Sequence, residues 1–197
     1  MDTLEKLKDG LEYNKGVITS EQAHLLGITN ERMSAFAHAN QIEKVARGIY
    51  VGPNTFVDEM YIAQLTKTKM IYSHETALHL HDLTDRDPLK YSVTVPSGYN
   101  SKTLLRQKFD VFSISQELLG LGKIECKTMY GNYVRCYNLE RTICDMIRSK
   151  SRVDQALLPD ALKRYVQRED KDLNSLMEMA EAFKIAKTIR LYMEVLL

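Results

Sequence analysis

The sequence predicts an α+β protein of two domains, and three observations lead to this fold class. The first fifty residues alternate short helical and strand patterns that end in a hairpin. Residues 91–137 contain several strands, whereas the spacing of apolar residues from 153 onward is helical. Between these parts, Gly52-Pro53-Asn54 interrupts both patterns, because Pro53 cannot continue a strand ladder. We therefore expect domains at residues 1–52 and 58–197.

The N-terminal domain is predicted to contain three helices, a short strand and a hairpin. The apolar spacing of residues 4–11 predicts the first helix. Thr19 and Gln22 form a capping-box pattern that starts the second helix, and Thr29 can cap the third. Residues 42–51 read as two short strands joined by a turn at Gly48. This order of elements is that of a winged helix-turn-helix.

The C-terminal domain is predicted to combine a small sheet, covering helices and a helical tail. Four stretches have strand character: 91–96, 109–114, 124–129 and 133–137. Helices are expected at 57–69, at 74–82 after a Ser73 cap, and from Asn138, with later helical segments broken near Pro159 and at 168–171.

The charge of the chain is nearly balanced. There are 27 Lys and Arg residues against 26 Asp and Glu residues, a net charge of +1 over 197 residues, which by itself favours no polyanionic partner. Residues 1–52 carry a net charge of −1 and residues 61–150 one of +4. Within the second segment, Lys102, Arg106 and Lys108 predict a secondary basic surface, with a solvated loop face as the alternative.

Composition also limits the expected location of the protein. No stretch approaches the roughly 20 apolar residues that span a bilayer. The first residues mix acids and lysines and do not resemble a signal peptide. The three cysteines, Cys126, Cys136 and Cys144, match neither a disulfide framework nor a metal clip. We expect a cytoplasmic protein with reduced thiols, without a membrane partner or cofactor.

The third helix and the hairpin are the strongest functional candidates. A helix of about three turns fits the DNA major groove, where side chains near its start meet base edges. The candidate DNA-binding residues are Thr29, Asn30, Arg32, Ser34 and His38 on the helix, with Lys44 and Arg47 on the hairpin to contact phosphate or the minor groove. Winged helices also act as protein-interaction modules, and the net charge of residues 1–52 keeps that alternative open.

Two patterns of catalytic or metal-binding type are weaker. Asp110 with Glu125-Cys126-Lys127 is similar to the D…E-x-K pattern of metal-dependent nucleases, but so short a pattern arises by chance. His74, His79 and His81 are not spaced four apart, as two ligands on one helix face would be. We therefore predict no catalytic and no metal-ligating residue, with a nuclease tethered by the winged helix as an alternative.

The order of these elements resembles a known family, and specific motifs carry the resemblance. In the first domain they are Gly27-Ile28-Thr29, Met33, Phe36 and the closing Val45-Ala46-Arg47-Gly48-Ile49-Tyr50. In the second they are residues 71–78 (IYSHETAL) with Leu83, residues 93–96 (VTVP) and residues 139–145 (LERTICD). Together they resemble the AbiEi-type antitoxins of bacterial abortive-infection, or type IV, toxin–antitoxin pairs.

The resemblance implies an antitoxin with two activities. It would counteract a cognate nucleotidyltransferase-like toxin without forming a stable complex with it, providing phage resistance. Its winged helix would bind inverted-repeat DNA upstream of its own operon and repress transcription. A monomer in solution would bind this operator cooperatively, aided by the second domain.

The chain departs from the family pattern in its third helix. Family members tend to carry several cations along this helix, whereas here the corresponding positions are Ser34, Ala35, His38 and Ala39. Arg32 is the only Arg or Lys in the predicted helix. The departure predicts weak DNA binding by an isolated first domain.

Overall fold

The computed structural model describes residues 2–196 and divides the chain into two compact units, residues 1–67 and 68–197. This boundary lies beyond the one that the sequence predicts, between domains at residues 1–52 and 58–197. The reason is the helix Glu59–Thr66, whose Ile62 is buried against Val17, Ile49 and Val51. The helix assigned from sequence to the start of domain 58–197 therefore belongs to the first compact unit.

The first unit follows the element order that the sequence predicts. Its three strands form an antiparallel sheet in the order β1-β3-β2. The elements are α1 (Thr3–Tyr13), β1 (Val17–Thr19), α2 (Ser20–Leu25), α3 (Asn30–His38), β2 (Glu43–Ala46), β3 (Ile49–Val51) and α4 (Glu59–Thr66).

Local hydrogen bonds fix the starts of α2 and α3. The backbone N–H of Gln22 donates to Thr19 Oγ1 (3.1 Å), and the N–H of Thr19 donates back to Gln22 Oε1 (2.8 Å), which confirms the predicted capping box. Thr29 caps α3 by accepting from the N–H of Arg32 at 3.4 Å. Ile28, in the turn between these helices, and Met33, on α3, are fully buried and anchor α3 to the core.

The second unit contains a five-stranded mixed sheet in the order β6-β5-β4-β8-β7. The pairs β5–β6 and β4–β8 are parallel, and the pairs β4–β5 and β7–β8 are antiparallel. The elements are β4 (Ile71–Tyr72), α5 (His74–Leu80), β5 (Ser92–Pro96), α6 (Lys102–Arg106), β6 (Asp110–Ile114), α7 (Gln116–Leu119), β7 (Lys123–Lys127), β8 (Tyr133–Tyr137), α8 (Leu139–Arg148), α9 (Leu157–Gln167), α10 (Leu173–Ala182) and α11 (Ala186–Leu196).

Two local predictions for this unit were wrong. Ser73 does not cap α5 through its side chain; its Oγ accepts a hydrogen bond from Thr94 and pairs with His74 Nδ1, both at 2.9 Å. Pro159 does not break the chain, because it lies in the first turn of α9, where a backbone N–H has no intrahelical partner.

A buried ion network joins α8 to the loop around α7. Arg141 Nε donates to Asp145 Oδ2 at 3.0 Å, and both side chains are fully buried. Arg141 Nη1 also donates to the carbonyls of Leu118 (2.9 Å) and Leu121 (2.7 Å), and Arg148 donates to the second oxygen of Asp145. Residues 139–145 are therefore buried in the core of the second unit, where a partner cannot contact them.

Candidate nucleic-acid interface

The burial of each residue in α3 shows which side of the helix is exposed to solvent. Met33 is fully buried and Phe36 and Ala37 are half-buried, while the remaining residues of the helix are exposed. At about 100° per residue, Glu31 and Ala35 lie near the middle of the exposed side. Asn30, Ser34 and His38, each four residues apart, form a stripe along one flank.

Arg32 lies on the other flank of α3. It is about 160° around the helix from Ser34. Its Nη1 donates a hydrogen bond to the hydroxyl of Thr3, at the start of α1. The only cationic Arg or Lys side chain of α3 is therefore directed toward α1, away from the stripe of Asn30, Ser34 and His38.

The β2–β3 hairpin presents the two other predicted cations. Lys44 lies in β2 opposite Tyr50, with its Nζ 5.9 Å from the centre of that ring. Arg47 is exposed in the turn, which requires Gly48 at a φ of +70°. The carbonyl of Gly48 accepts from the N–H of Ser20 (2.8 Å), so the turn is attached to the start of α2.

A groove of about 700 Å³ lies between the end of α3 and the hairpin. Ser34, His38 and Lys44 all line it, together with the acidic Glu43. Thr29, Asn30, Arg32 and Arg47 are exposed but are not among its lining residues. The structure thus brings together three of the seven residues predicted to bind DNA.

Charge in the first unit is not arranged as a strong cationic surface. Residues 1–67 carry nine acidic and seven basic residues, a net charge of −2. Glu31 occupies the exposed side of α3, and Glu43 lines the groove beside Lys44. Because the affinity of proteins for DNA depends on phosphate neutralisation, these carboxylates oppose it.

The predicted secondary basic surface is exposed in the second unit. Lys102 and Arg106 lie four residues apart on the short helix α6, and Lys108 follows with a φ of +61°. All three side chains are exposed. Lys102 and Arg106 share one face of α6, whereas Lys108 lies beyond the end of this helix, and Asp110 is the next charged residue along the chain.

The nuclease-like residues do not come together. Asp110 begins β6 and Glu125 lies in β7, and these strands are the two edges of the five-stranded sheet. Four strand spacings separate them, roughly 19 Å. A metal-dependent nuclease needs both carboxylates near the same reacting phosphate, so this pattern does not assemble such a site.

The three neighbouring histidines have three separate environments. His74 is fully buried, stacked 3.5 Å from the Phe112 ring, with Nε2 hydrogen-bonded to Ser149 Oγ at 3.0 Å. His79 Nδ1 lies 3.5 Å from Asp87 Oδ1. His81 instead approaches Cys126 and Cys136, with all three potential ligand atoms within 4.8 Å of one another.

This last cluster was missed from sequence because 45 residues separate His81 from Cys126. Its local signal is weak: Cys126 and Cys136 are ten apart, and only the antiparallel register of β7 and β8 makes them neighbours. Cys144, by contrast, is buried on α8, where burial raises the pKa of its thiol to about 12.

No helix among residues 2–196 combines the length and apolarity needed to cross a bilayer.

Comparison with known proteins gives similarity at the level of fold. No family model and no curated protein matches the sequence. A solved structure, the crystal structure of the RV2827C protein from Mycobacterium tuberculosis, superposes with a TM-score of 0.61 at 13% sequence identity. The match covers 91% of this chain and 71% of that one, so the chain is similar to this protein in fold over most of its length.

Proposed function

We propose that this chain is a cytoplasmic, non-catalytic antitoxin of the type IV class that also represses its own operon. The first unit would act as a winged helix-turn-helix that binds operator DNA. The observation that supports this role best is α3, with its exposed polar stripe, lying beside an exposed hairpin that carries Lys44 and Arg47. Helix and hairpin are the two elements that such modules use on DNA.

In the proposed complex, α3 enters the major groove and the hairpin contacts the backbone. Asn30 lies at the start of α3 and Ser34 one turn further on, and side chains in this part of a recognition helix meet base edges. Lys44 and Arg47 hold phosphate from the hairpin. Arg32, which is attached to Thr3, positions the start of the helix against α1.

The charge of the first unit requires additional cations in the complex. With a net charge of −2, a single copy of residues 1–67 gains little from counterion release. Two copies on an inverted repeat, and the exposed Lys102, Arg106 and Lys108 of each second unit, would supply the missing phosphate contacts. Operator binding is therefore cooperative and requires the full chain.

We assign the antitoxin activity to the second unit, residues 68–197. Its motifs at 71–78 and 139–145 resemble those of AbiEi-type antitoxins, and both lie mainly in the core, at His74, Arg141 and Asp145. They maintain the domain, so the surface around them would carry the activity. The toxin it counteracts would be nucleotidyltransferase-like and would not form a stable complex with it.

The DNA-binding proposal is tested with the full chain and the DNA upstream of its own gene. Fluorescence polarisation should give tighter, cooperative binding to that DNA than to a shuffled duplex of equal length and composition. The logarithm of the affinity should fall linearly with the logarithm of salt concentration. Equal affinity for both duplexes across the salt series would refute sequence-specific operator binding.

The antitoxin proposal has a separate test in the native genetic context. Expression of an adjacent nucleotidyltransferase-like gene should arrest growth, and co-expression of this chain should restore it. Size-exclusion chromatography of the two purified proteins should show two separate peaks. Rescue accompanied by a stoichiometric complex would instead support the alternative role of an interaction module.

That alternative is favoured by the charge of the first unit, since a net charge of −2 over residues 1–67 opposes DNA binding. A protein partner would have the side chain of Leu25 on α2 to contact, which is 85% exposed. Leu25→Glu should leave DNA binding within a few-fold but disrupt a protein complex if the interaction module is the correct function.

A further inference from the structure

The second unit contains a cluster of metal-ligand side chains that takes no part in the proposed function. His81 ends α5, Cys126 lies in β7 and Cys136 in β8. Cys136 is opposite Ile124 and Cys126 is opposite Val134, so the two cysteines are diagonal neighbours on one face of the β7–β8 pair. His81 Nε2 lies 3.8 Å from Cys126 Sγ.

We propose that His81 Nε2, Cys126 Sγ and Cys136 Sγ bind one Zn²⁺ ion in a three-ligand site whose fourth position is open to water. Imidazole nitrogen and thiolate sulfur are the ligands that zinc prefers. Two thiolates balance the charge of the ion, so the occupied site is electrically neutral. The site is independent of the DNA-binding and antitoxin proposals.

The distances between the ligand atoms suit a tetrahedral ion. Zinc–sulfur and zinc–nitrogen bonds of about 2.3 and 2.1 Å place two ligand atoms of a tetrahedron about 3.6–3.8 Å apart. The Cys126–His81 distance is 3.8 Å, and all three atoms lie within 4.8 Å of one another. His81 Nε2 and Cys136 Sγ both contact the Tyr137 carbonyl in the absence of an ion, so rotation of these two side chains away from that oxygen would complete the geometry.

The three donors already converge without the ion. His81 Nε2 donates to the carbonyl of Tyr137 at 2.6 Å, and Cys136 Sγ donates to the same oxygen at 3.3 Å. Hydrogen bonding from Cys136 and, to a smaller degree, from His81 lowers the pKa of the Cys126 thiol. Zinc would replace the Nε2 proton and the remaining thiol protons of Cys126 and Cys136, and these protons would pass to solvent.

The surroundings of the cluster hold its ligands and leave an approach from solvent. The β8 ligand, Cys136, is fully buried, whereas His81 is half-exposed. Arg168 Nη1 donates to the carbonyl of His81 at 3.0 Å, and Arg168 in turn pairs with Asp170 at 2.7 Å. These contacts fix the end of α5, so the imidazole is held near the sheet.

Titration of reduced, chelator-treated full-length protein with Co²⁺ and Zn²⁺ tests the proposal. We expect one equivalent of metal per chain, with a thiolate-to-cobalt charge-transfer band and the visible bands of tetrahedral cobalt, both displaced by Zn²⁺. Zinc should also raise the midpoint of thermal unfolding, because it binds the folded state.

Matched variants identify the ligands. His81→Gln and Cys126→Ser should each weaken Zn²⁺ binding by at least about tenfold in competition with a chromophoric chelator. His79→Gln, on the exposed part of the same helix, and Cys144→Ala, which removes the remaining thiol, should retain the affinity. Binding that is substoichiometric, lacks the charge-transfer band or is unchanged in Cys126→Ser would overturn the site.

Discussion

Arg32 donates a hydrogen bond to the hydroxyl of Thr3, and this contact turns the cation of α3 toward α1. In the proposed DNA complex, the phosphate contacts of the first unit would therefore come mainly from the hairpin. Lys44 lines the same groove as Ser34 and His38 and is exposed, so it is the cation best placed to act together with the polar stripe of α3.

Removal of the Lys44 charge should therefore weaken operator binding. We expect Lys44→Gln to lower affinity several-fold at low salt and to reduce the slope of log affinity against log salt by about one. Lys8→Gln on α1 is the matched control, since it removes the same charge from another exposed position of the unit. Equal losses in the two variants would indicate a general charge effect and exclude Lys44 from the interface.

Glu31 provides a prediction of opposite sign. It is exposed near the middle of the outward side of α3, where a carboxylate would repel phosphate. Glu31→Gln should increase affinity for operator DNA, with the largest gain at low ionic strength. Glu12→Gln, exposed on α1, should have little effect. A loss of affinity in Glu31→Gln would instead indicate that the carboxylate accepts a hydrogen bond from a base.

Local signals in the sequence predicted local structure well, and tertiary contacts explain the rest. The Thr19–Gln22 capping box and the Asn138 cap need only neighbouring residues and are confirmed. The two-residue strand β4 was missed, because its pairing with β5 and β8 gives no local pattern. Likewise, the side chain of Ser73 does not cap α5 as predicted, because its Oγ forms hydrogen bonds with Thr94 and His74 instead.

For the candidate sites too, the sequence predicted local features but not those that depend on tertiary contacts. Exposure of the seven predicted DNA-binding residues could be read from helical periodicity and turn chemistry. Helical periodicity also predicts that Arg32 and Ser34 lie on different sides of α3. The hydrogen bond from Arg32 to Thr3 could not be predicted in this way, because it depends on how α1 packs in the first unit. The His81–Cys126–Cys136 cluster depends on strand register and on the end of α5, neither of which the spacing of these residues indicates.

The position of α4 predicts where the first unit can be cut. Ile62 packs on Val17, Ile49 and Val51, so a fragment of residues 1–67 retains this contact and one of residues 1–52 loses it. We expect the longer fragment to unfold cooperatively on heating, as followed by circular dichroism. The shorter should be less stable by roughly 2–4 kcal/mol, the cost of exposing several apolar side chains. Equal midpoints would place the boundary at the predicted linker.

The buried ion network should matter far more for stability than the surface ion pairs. Asp145 is fully buried between Arg141 and Arg148, so Asp145→Asn leaves two guanidinium groups without their carboxylate. We expect a loss of about 3–5 kcal/mol in the free energy of unfolding by urea. Arg164→Gln breaks exposed pairs with Asp85 and Asp160 and should cost far less, because water screens exposed charges. Similar losses in both variants would contradict a structural role for the network.

His74 should make the stability of the second unit depend on pH. Burial, with added repulsion from Arg148, Arg141 and Arg152, lowers the pKa of His74 well below its ordinary value. In the unfolded chain this histidine takes up a proton below about pH 6.5, whereas in the folded state it stays neutral. The unfolded state therefore binds more protons as pH falls, and stability is lost by up to about 1.4 kcal/mol per pH unit below that point.

The variant His74→Asn isolates this contribution, because asparagine does not titrate and tolerates the φ of +48° at this position. It should be less stable at neutral pH, since it loses the stacking on Phe112, yet its unfolding free energy should change less between about pH 7 and about pH 5.5. His38→Asn, at an exposed position, should keep the parent pH dependence. If His74→Asn and the parent lose the same free energy over this range, then His74 is not the group that links stability to pH.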